Sequence, residues 1–151
     1  MDKFRLFVFL LALPFLFISL ANADDSEQRV CTWAEQILMK TLSASYADTP
    51  EDIASVQQYY MPSAWWPMKE FFSDKRDLIN NQRLILHPQL QTAATVISQG
   101  YCGGVLCWRV NLAFYIPELH QDIKFSLLIL PTSKANAPFI VQSLDMILNY
   151  Y

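Results

Sequence analysis

The sequence is poor in glycine and histidine, on which many phosphate-binding and metal-dependent sites depend. It has three glycines in 151 residues, and none lies in a phosphate-binding glycine loop. Neither the G-x-S-x-G motif of α/β-hydrolases nor the H-E-x-x-H motif of zinc proteases is present. The two histidines, His87 and His120, show no zinc-ligand spacing with the cysteines. We therefore expect no metal, no cofactor and a protein that is not an enzyme.

Positive charge is also scarce. The chain has 11 lysines and arginines against 14 acidic residues, which makes the net charge −3. Nucleic-acid-binding domains need a basic patch that neutralises phosphates, so no nucleic-acid partner is expected. The composition is 53% hydrophobic and has no low-complexity segment, which indicates one compact domain over residues 24–151.

Residues 1–23 have the three parts of a secretory signal peptide. Basic residues come first, an apolar run extends from Leu6 to Leu20, and an A-x-A site ends at Ala23. We predict cleavage after Ala23 and a periplasmic or secreted protein. The competing hypothesis is an uncleaved anchor in the inner membrane, the one case in which we expect membrane contact. Cleavage is favoured because the run is shorter than the ~20 residues that span a bilayer and because Pro14 interrupts it.

The three cysteines allow one disulfide in an exported protein. Cys102 and Cys107 flank four residues, and a four-residue hairpin loop would place them opposite each other, close enough to bridge. A bridge from Cys31 to either of them would instead join the first helix to the sheet. Three buried thiols are the remaining alternative. The hairpin spacing favours the Cys102–Cys107 pair and leaves the other two open.

The first helix is indicated by apolar residues that follow the i, i+3, i+4, i+7 pattern from Val30 to Leu42. Asp25 and Gln28, three positions apart, fit a capping box, so this helix is predicted to begin at Asp25 or Ser26.

Two further helices follow. Thr49 and Pro50 have the residue types of a helix cap and a first helical position, and acidic residues come next. A third helix is predicted over Ser63–Ile79, with Pro67 in its first turn.

The rest of the chain has the alternation of strands. The longest period-two run covers 105–116 and has one fully apolar face. Helices followed by strands with short connections predict an α+β fold, with three N-terminal helices on a curved four-stranded antiparallel sheet. The predicted strands are 90–99, 105–116, 123–130 and 139–148, with a short additional strand at 84–86.

Charged and polar residues in the strand region are the next candidates. Arg109 and Asn111 lie on the mixed face of the central strand, where an exposed sheet surface is favoured over a binding groove. Asp145 is either a buried acid or, as favoured, an outward-facing one. Three residues are expected in a solvated turn and not in a catalytic site: Glu118, His120 and Asp122.

Aromatic residues are dense between the second and third helices. The favoured interpretation is core packing around a hinge. The alternative is a patch that binds a partner protein, because Tyr and Trp are enriched at interfaces. The residues concerned are Tyr59, Tyr60, Trp65, Trp66, Phe71 and Phe72.

Two segments, 60–65 (YMPSAW) and 104–111 (GVLCWRVN), together with the order of helices and strands, resemble the IcmL family, also called DotI. That family comprises components of type IVB secretion and conjugation systems. It typically shows an aromatic-Thr-x-x-Gly-Trp turn before its third helix. Tyr60 and Trp65 match this turn, whereas Met61 replaces the Thr and Ala64 replaces the Gly; Trp108 matches a later family Trp.

The resemblance implies a periplasmic domain with a nuclear-transport-factor-like α+β fold and without catalytic residues. It implies protein partners, among them secretion-apparatus components, and is compatible with a homo-oligomer. Family members carry an N-terminal membrane anchor, whereas this N-terminus has the features of a cleavable signal peptide. We therefore expect an exported accessory protein. The residues that the resemblance marks for interaction are Tyr60, Trp65, Trp66, Trp108, Arg109 and Asn111.

The alternative function is a small-ligand binder or an enzyme that uses a pocket between helices and sheet. Asp145 or Arg109 would contribute polar groups to such a pocket. A structure in which Trp33, Phe71 and Trp108 fill that space would remove this hypothesis.

Overall fold

A computed structural model describes residues 18–134 and 137–150 of the chain, with side chains from residue 25 to residue 149 within those ranges. Most of the predicted signal peptide, residues 1–17, lies outside the described part. The elements, in chain order, are α1 (Ile18–Leu42), α2 (Pro50–Gln57), α3 (Pro62–Asn81), β1 (Gln89–Cys102), β2 (Val105–Ile116), β3 (Gln121–Pro131) and β4 (Phe139–Tyr150).

The four strands form one antiparallel sheet in the order β1-β2-β3-β4, and the helices pack against one face of it. The predicted α+β class is therefore confirmed. The period-two pattern of β2 is reproduced residue by residue, because Trp108, Val110, Leu112 and Phe114 are all buried on the helical side. None of the helices within residues 18–134 and 137–150 is long and apolar enough to cross a membrane.

The predicted start of the first helix is wrong. The chain is already helical at Ile18, the first residue that the structure describes, and the helix continues through Asp25 and Ser26. No glycine or proline lies between Ile18 and Leu42, so no residue interrupts the helical hydrogen bonds upstream of Asp25.

The second helix begins as predicted. Thr49 is its N-cap, Pro50 occupies the first turn, and Thr49 and Asp52 form a reciprocal capping box. The Asp52 carboxylate accepts the backbone N–H of Thr49 at 2.9 Å, while the Asp52 N–H donates to Thr49 Oγ1 at 3.3 Å.

The third helix begins at Pro62, and Pro67 lies inside it and not in its first turn. Pro62 is preorganised for a first helical position, and Met61 before it has extended backbone angles, which moves the start upstream of the prediction. Pro67 has no N–H, so the helix lacks the hydrogen bond that would reach the carbonyl of Ser63.

The predicted short strand at 84–86 is also wrong. Ile85 makes only an isolated bridge to Ser45, and the N–H of Leu86 donates to the carbonyl of Ala44 at 2.9 Å. These contacts hold the segment against the loop after α1, where it does not pair with a strand of the sheet.

The space between helices and sheet is filled by aromatic side chains. Trp33 and Trp108 both pack against Phe139, with ring centroids 5.5 and 5.7 Å apart, respectively. Trp33, Trp108 and Phe71 are all buried. This packing counts against the alternative in which a ligand occupies a pocket between the two layers.

The β1–β2 hairpin contains the Cys102–Cys107 disulfide, with Cα atoms 5.9 Å apart. The predicted geometry was different, because the turn has two residues, Gly103 and Gly104, and Cys107 is opposite Gly100 and not Cys102. Both glycines have positive φ, which a two-residue hairpin turn requires. Gly100 has no side chain, so the bridge can run diagonally across the ladder.

Cys31 is free and partly buried. Burial raises the pKa of its thiol, with an opposing contribution from the backbone of Val96. The structure therefore does not use the rival pairing of Cys31 with a hairpin cysteine.

Candidate interaction surfaces

Tyr60, the first residue of the motif segment, is a structural residue of the core. Its side chain is 5% exposed and its hydroxyl lies 2.8 Å from Oγ1 of Thr41, which is equally buried in α1. Burial raises the pKa of Tyr60, so the phenol stays neutral and keeps its hydrogen bond. This contact joins the end of α1 to the connection between α2 and α3.

The backbone beside Tyr60 covers part of the free edge of β4. The N–H of Met61 donates to the carbonyl of Val141 at 2.8 Å, and the N–H of Val141 donates to the carbonyl of Tyr59 at 2.9 Å. Ala64, where the family turn has Gly, is fully buried, so this position requires a small side chain. The motif segment therefore fixes the helical layer to the sheet edge.

The two tryptophans of this segment have different surroundings. Trp65 is half-buried, with its ring centroid 5.5 Å from that of Tyr60. Trp66 is 58% exposed, and the ammonium group of Lys69 lies 5.6 Å from its ring centroid. Within this segment, a partner could therefore contact the ring of Trp66 and the outer part of the ring of Trp65.

The other three predicted residues lie on β2 and do not join this group. Trp108 is buried on the helical side of the sheet, and its indole nitrogen has no hydrogen-bond partner. Arg109 lies on the opposite, outer face, where its Nη1 is 3.9 Å from a carboxylate oxygen of Asp145. Asp145 is exposed, which agrees with the outward orientation favoured from the sequence.

Asn111 lies in a shallow cavity of about 410 Å³ on the outer face. Its side-chain oxygen is buried and without a hydrogen-bond partner. Thr95, Ser126 and Lys124 line the same cavity. This face therefore offers a small depression lined by both polar and apolar residues, separate from the aromatic residues of the helical layer.

A larger concavity, of about 700 Å³, lies on the helical side between the end of α1, α2 and α3. We call it the helical groove. One wall is a stripe of alternating aromatic and basic residues on α3: Trp65, Lys69, Phe72 and Arg76. Their spacing of four, three and four places them on one helix face. Ile53 of α2, which is 45% exposed, lies on the other wall.

Helix α3 therefore contributes one face to the core and another to the helical groove. Ala64, Met68 and Phe71 face the core and are buried. The stripe that begins at Trp65 faces the helical groove and is only partly covered. Helix α2 has no buried residue, so it does not close over this stripe.

The acidic residues of the helical groove are already engaged by local backbone groups. Asp48 accepts the N–H of Ser45 at 2.9 Å, and Asp52 accepts the N–H and hydroxyl of Thr49, both at 2.9 Å. The backbone hydrogen bond from Thr49, followed by that from its hydroxyl, lowers the pKa of Asp52. The basic residues of the α3 wall, Lys69 and Arg76, are exposed beside the half-buried rings of Trp65 and Phe72.

His87 and Glu118, the latter expected in a solvated turn, are hydrogen-bonded to each other. His87 Nδ1 lies 2.6 Å from Oε1 of Glu118, and the backbone N–H of His87 donates to Oε2 at 3.0 Å. Partial burial acts to raise the pKa of Glu118, but the hydrogen bonds from His87 outweigh it and lower the pKa. The pair ties the segment before β1 to the turn after β2. In the described part of the chain, no group of His, Cys, Asp and Glu side chains could hold a metal ion.

The sequence interpretation missed the helical groove and its basic residues Lys69 and Arg76, and it named Phe72 only as one of the densely spaced aromatic residues. Their signal was present as a second stripe on α3, offset from the core stripe by one residue. It was not recognised because a basic residue between aromatic ones is usual on an exposed helix face, and the partial burial of Phe72 depends on where α2 lies.

The sequence matches no protein-family model and no curated protein. The periplasmic domain of DotI has a TM-score of 0.64 at 12% identity, covering 81% of this chain and 94% of that one. A periplasmic fragment of TraM has a TM-score of 0.63 at 14% identity, covering 80% and 94%.

An IcmL-like type IV secretion system protein from Legionella pneumophila has a TM-score of 0.58 at 12% identity, covering 82% of this chain and 94% of that one. At these identities the likeness concerns the fold. The resemblance inferred from the motif segments is confirmed at that level: this chain has the α+β fold of the periplasmic parts of DotI and TraM.

Proposed function

We propose that this protein is an exported, periplasmic interaction domain that acts as an accessory to a type IV secretion apparatus and catalyses no reaction. The observation that carries the proposal is the fold match, which covers about four fifths of this chain in each of three comparisons. One of the three structures is a type IV secretion system protein, and the other two are periplasmic.

The distribution of side chains supports an interaction role over a ligand pocket. The interlayer space is occupied by Trp33, Phe71 and Trp108. Large apolar side chains remain exposed on the helical layer, with Trp66 the most exposed aromatic residue there. Exposed aromatic residues next to a basic side chain are typical of protein interfaces.

The test is chemical cross-linking in intact cells, followed by purification of the tagged full-length chain from the cell envelope. We expect secretion-apparatus proteins among the cross-linked partners. A tagged exported protein of unrelated fold, expressed at the same level, is the control. Recovery of no secretion-apparatus protein above that control would contradict the proposal.

A further inference from the structure

The helical groove has one wall that is chemically regular. Trp65 and Phe72 are half-buried, while Lys69 and Arg76 are exposed. The two basic residues are seven positions apart, which is two helical turns and a rise of about 10 Å. The wall therefore presents two positive charges at a defined separation beside an apolar strip.

The opposite wall leaves that strip uncovered. No residue of α2 is buried, and Ile53 points its exposed side chain into the groove. The volume of about 700 Å³ is within the range of concave sites that bury most of a ligand's surface. An apolar face of a partner would fit between Ile53 and Phe72.

Basic residues outnumber acidic ones in the lining of the groove, which includes Lys40, Lys69 and Arg76 against Asp48 and Asp52. Neither Lys69 nor Arg76 forms an ion pair with a carboxylate of the described residues. Asp48 and Asp52 accept hydrogen bonds from local backbone groups. In a chain of net charge −3, this wall attracts negative charge against the overall sign.

We propose that the helical groove binds an amphipathic helix of a partner protein that carries acidic residues seven positions apart along its apolar face. The proposal rests on the interaction function proposed above and names its surface. The spacing favours a helix over an extended peptide. In a strand, about 10 Å is a rise of three residues, and positions i and i+3 point to opposite faces, whereas positions i and i+7 of a helix share a face.

Binding of designed peptides to the full chain tests the charge pattern. Two synthetic helical peptides of about 15 residues share one apolar face, and one has Glu while the other has Lys at two flanking positions seven apart. Fluorescence anisotropy measures the Kd of each. We expect the Glu peptide to bind at least about fivefold more tightly, since each exposed ion pair contributes a small free energy.

Charge-reversal variants assign that preference to the groove. The double variant Lys69→Glu/Arg76→Glu should reverse the preference. The matched control Lys124→Glu/Lys134→Glu makes the same change in net charge at exposed positions outside the groove and should retain it. Circular dichroism checks that both variants are folded. Equal binding of the two peptides, or a preference that survives the groove variant, would overturn the proposal.

Photo-cross-linking in native cells tests the occupant. Benzoylphenylalanine replaces Ile53 in the groove or Ile147, an equally apolar residue that is 62% exposed on the outer face. An adduct at Ile53 to an acidic helical segment of another protein is the expected result. A lipid adduct, a second copy of this chain, or no adduct at Ile53 would refute the groove proposal. A secretion-apparatus adduct at Ile147 alone would refute it and leave the proposed function standing; no protein adduct at either site would count against both.

Discussion

The buried pair of Thr41 and Tyr60 provides a test of how the helical layer is held together. Thr41 Oγ1 donates to the carbonyl of Ile37 at 2.7 Å and lies 2.8 Å from the Tyr60 hydroxyl. Because threonine has one hydroxyl hydrogen, Tyr60 is the donor in the bond between the two side chains. The two substitutions Thr41→Val and Tyr60→Phe therefore leave different groups unpaired.

The two substitutions should therefore lower the free energy of unfolding by different amounts. Tyr60→Phe removes a donor and leaves Thr41 bonded to Ile37, so it should lower the free energy of unfolding by about 1 kcal/mol. Thr41→Val strands the buried Tyr60 O–H without an acceptor, which should cost about 2 kcal/mol. The double variant has no stranded donor, and its cost should be about 1 kcal/mol, well below the sum of the two single effects.

Urea denaturation of the wild type, both single variants and the double variant measures these differences. Unchanged m-values are required, so that midpoints report stability and not a change in the surface exposed on unfolding. Additive costs, with the double variant losing about 3 kcal/mol, would refute the reasoning, because they would show that the two side chains do not share a buried bond.

Three further predictions concern the ends and turns of the chain. Replacing Cys102 and Cys107 by Ser should lower the free energy of unfolding by about 2 kcal/mol, the value for so short a loop, as measured by thermal or urea unfolding with the wild type as control. The lowered pKa of Glu118 implies a stabilising contribution that is present above the ordinary glutamate pKa of about 4.3 and is lost as pH falls through the folded pKa, so Glu118→Gln should show a weaker acid dependence of its melting temperature than the wild type. A wild type and variant with parallel pH profiles would contradict this. Intact mass of the protein from fractionated native cells should correspond to a chain that starts at Asp24 in the periplasm or medium; a full-length chain in the inner membrane would restore the anchored hypothesis.

The strands were predictable from the sequence because their information is local. In β2, the apolar face is defined by alternation over 12 residues, and the observed strand has the predicted bounds. Thr49 and Pro50 likewise identify a helix start through contacts within one turn. The start of α1 was misplaced because Asp25 has the residue type of a cap, while the absence of glycine and proline between Ile18 and Asp25 was given too little weight.

The interaction surfaces depend on contacts between distant segments and were only partly predictable. Trp108 and Arg109 are neighbours in sequence, but the pleat sends them to opposite sides of the sheet, so they cannot serve one interface. The helical groove exists because α2 leaves the outer stripe of α3 uncovered. The relative position of α2 and α3 cannot be predicted from the sequence of either helix alone.

The backbone of residues 59–61, which covers part of the edge of β4, shows how a structural contact can be kept while the sequence changes. Met61 and Val141 meet through main-chain atoms, so the contact requires no particular side chain at position 61, apart from the exclusion of proline, which has no N–H. A segment held in this way can change its residues while keeping its place, and the constraint on residue type passes to buried neighbours such as Ala64. Main-chain contacts of this kind are one physical reason why chains with 12–14% identity can share a common fold.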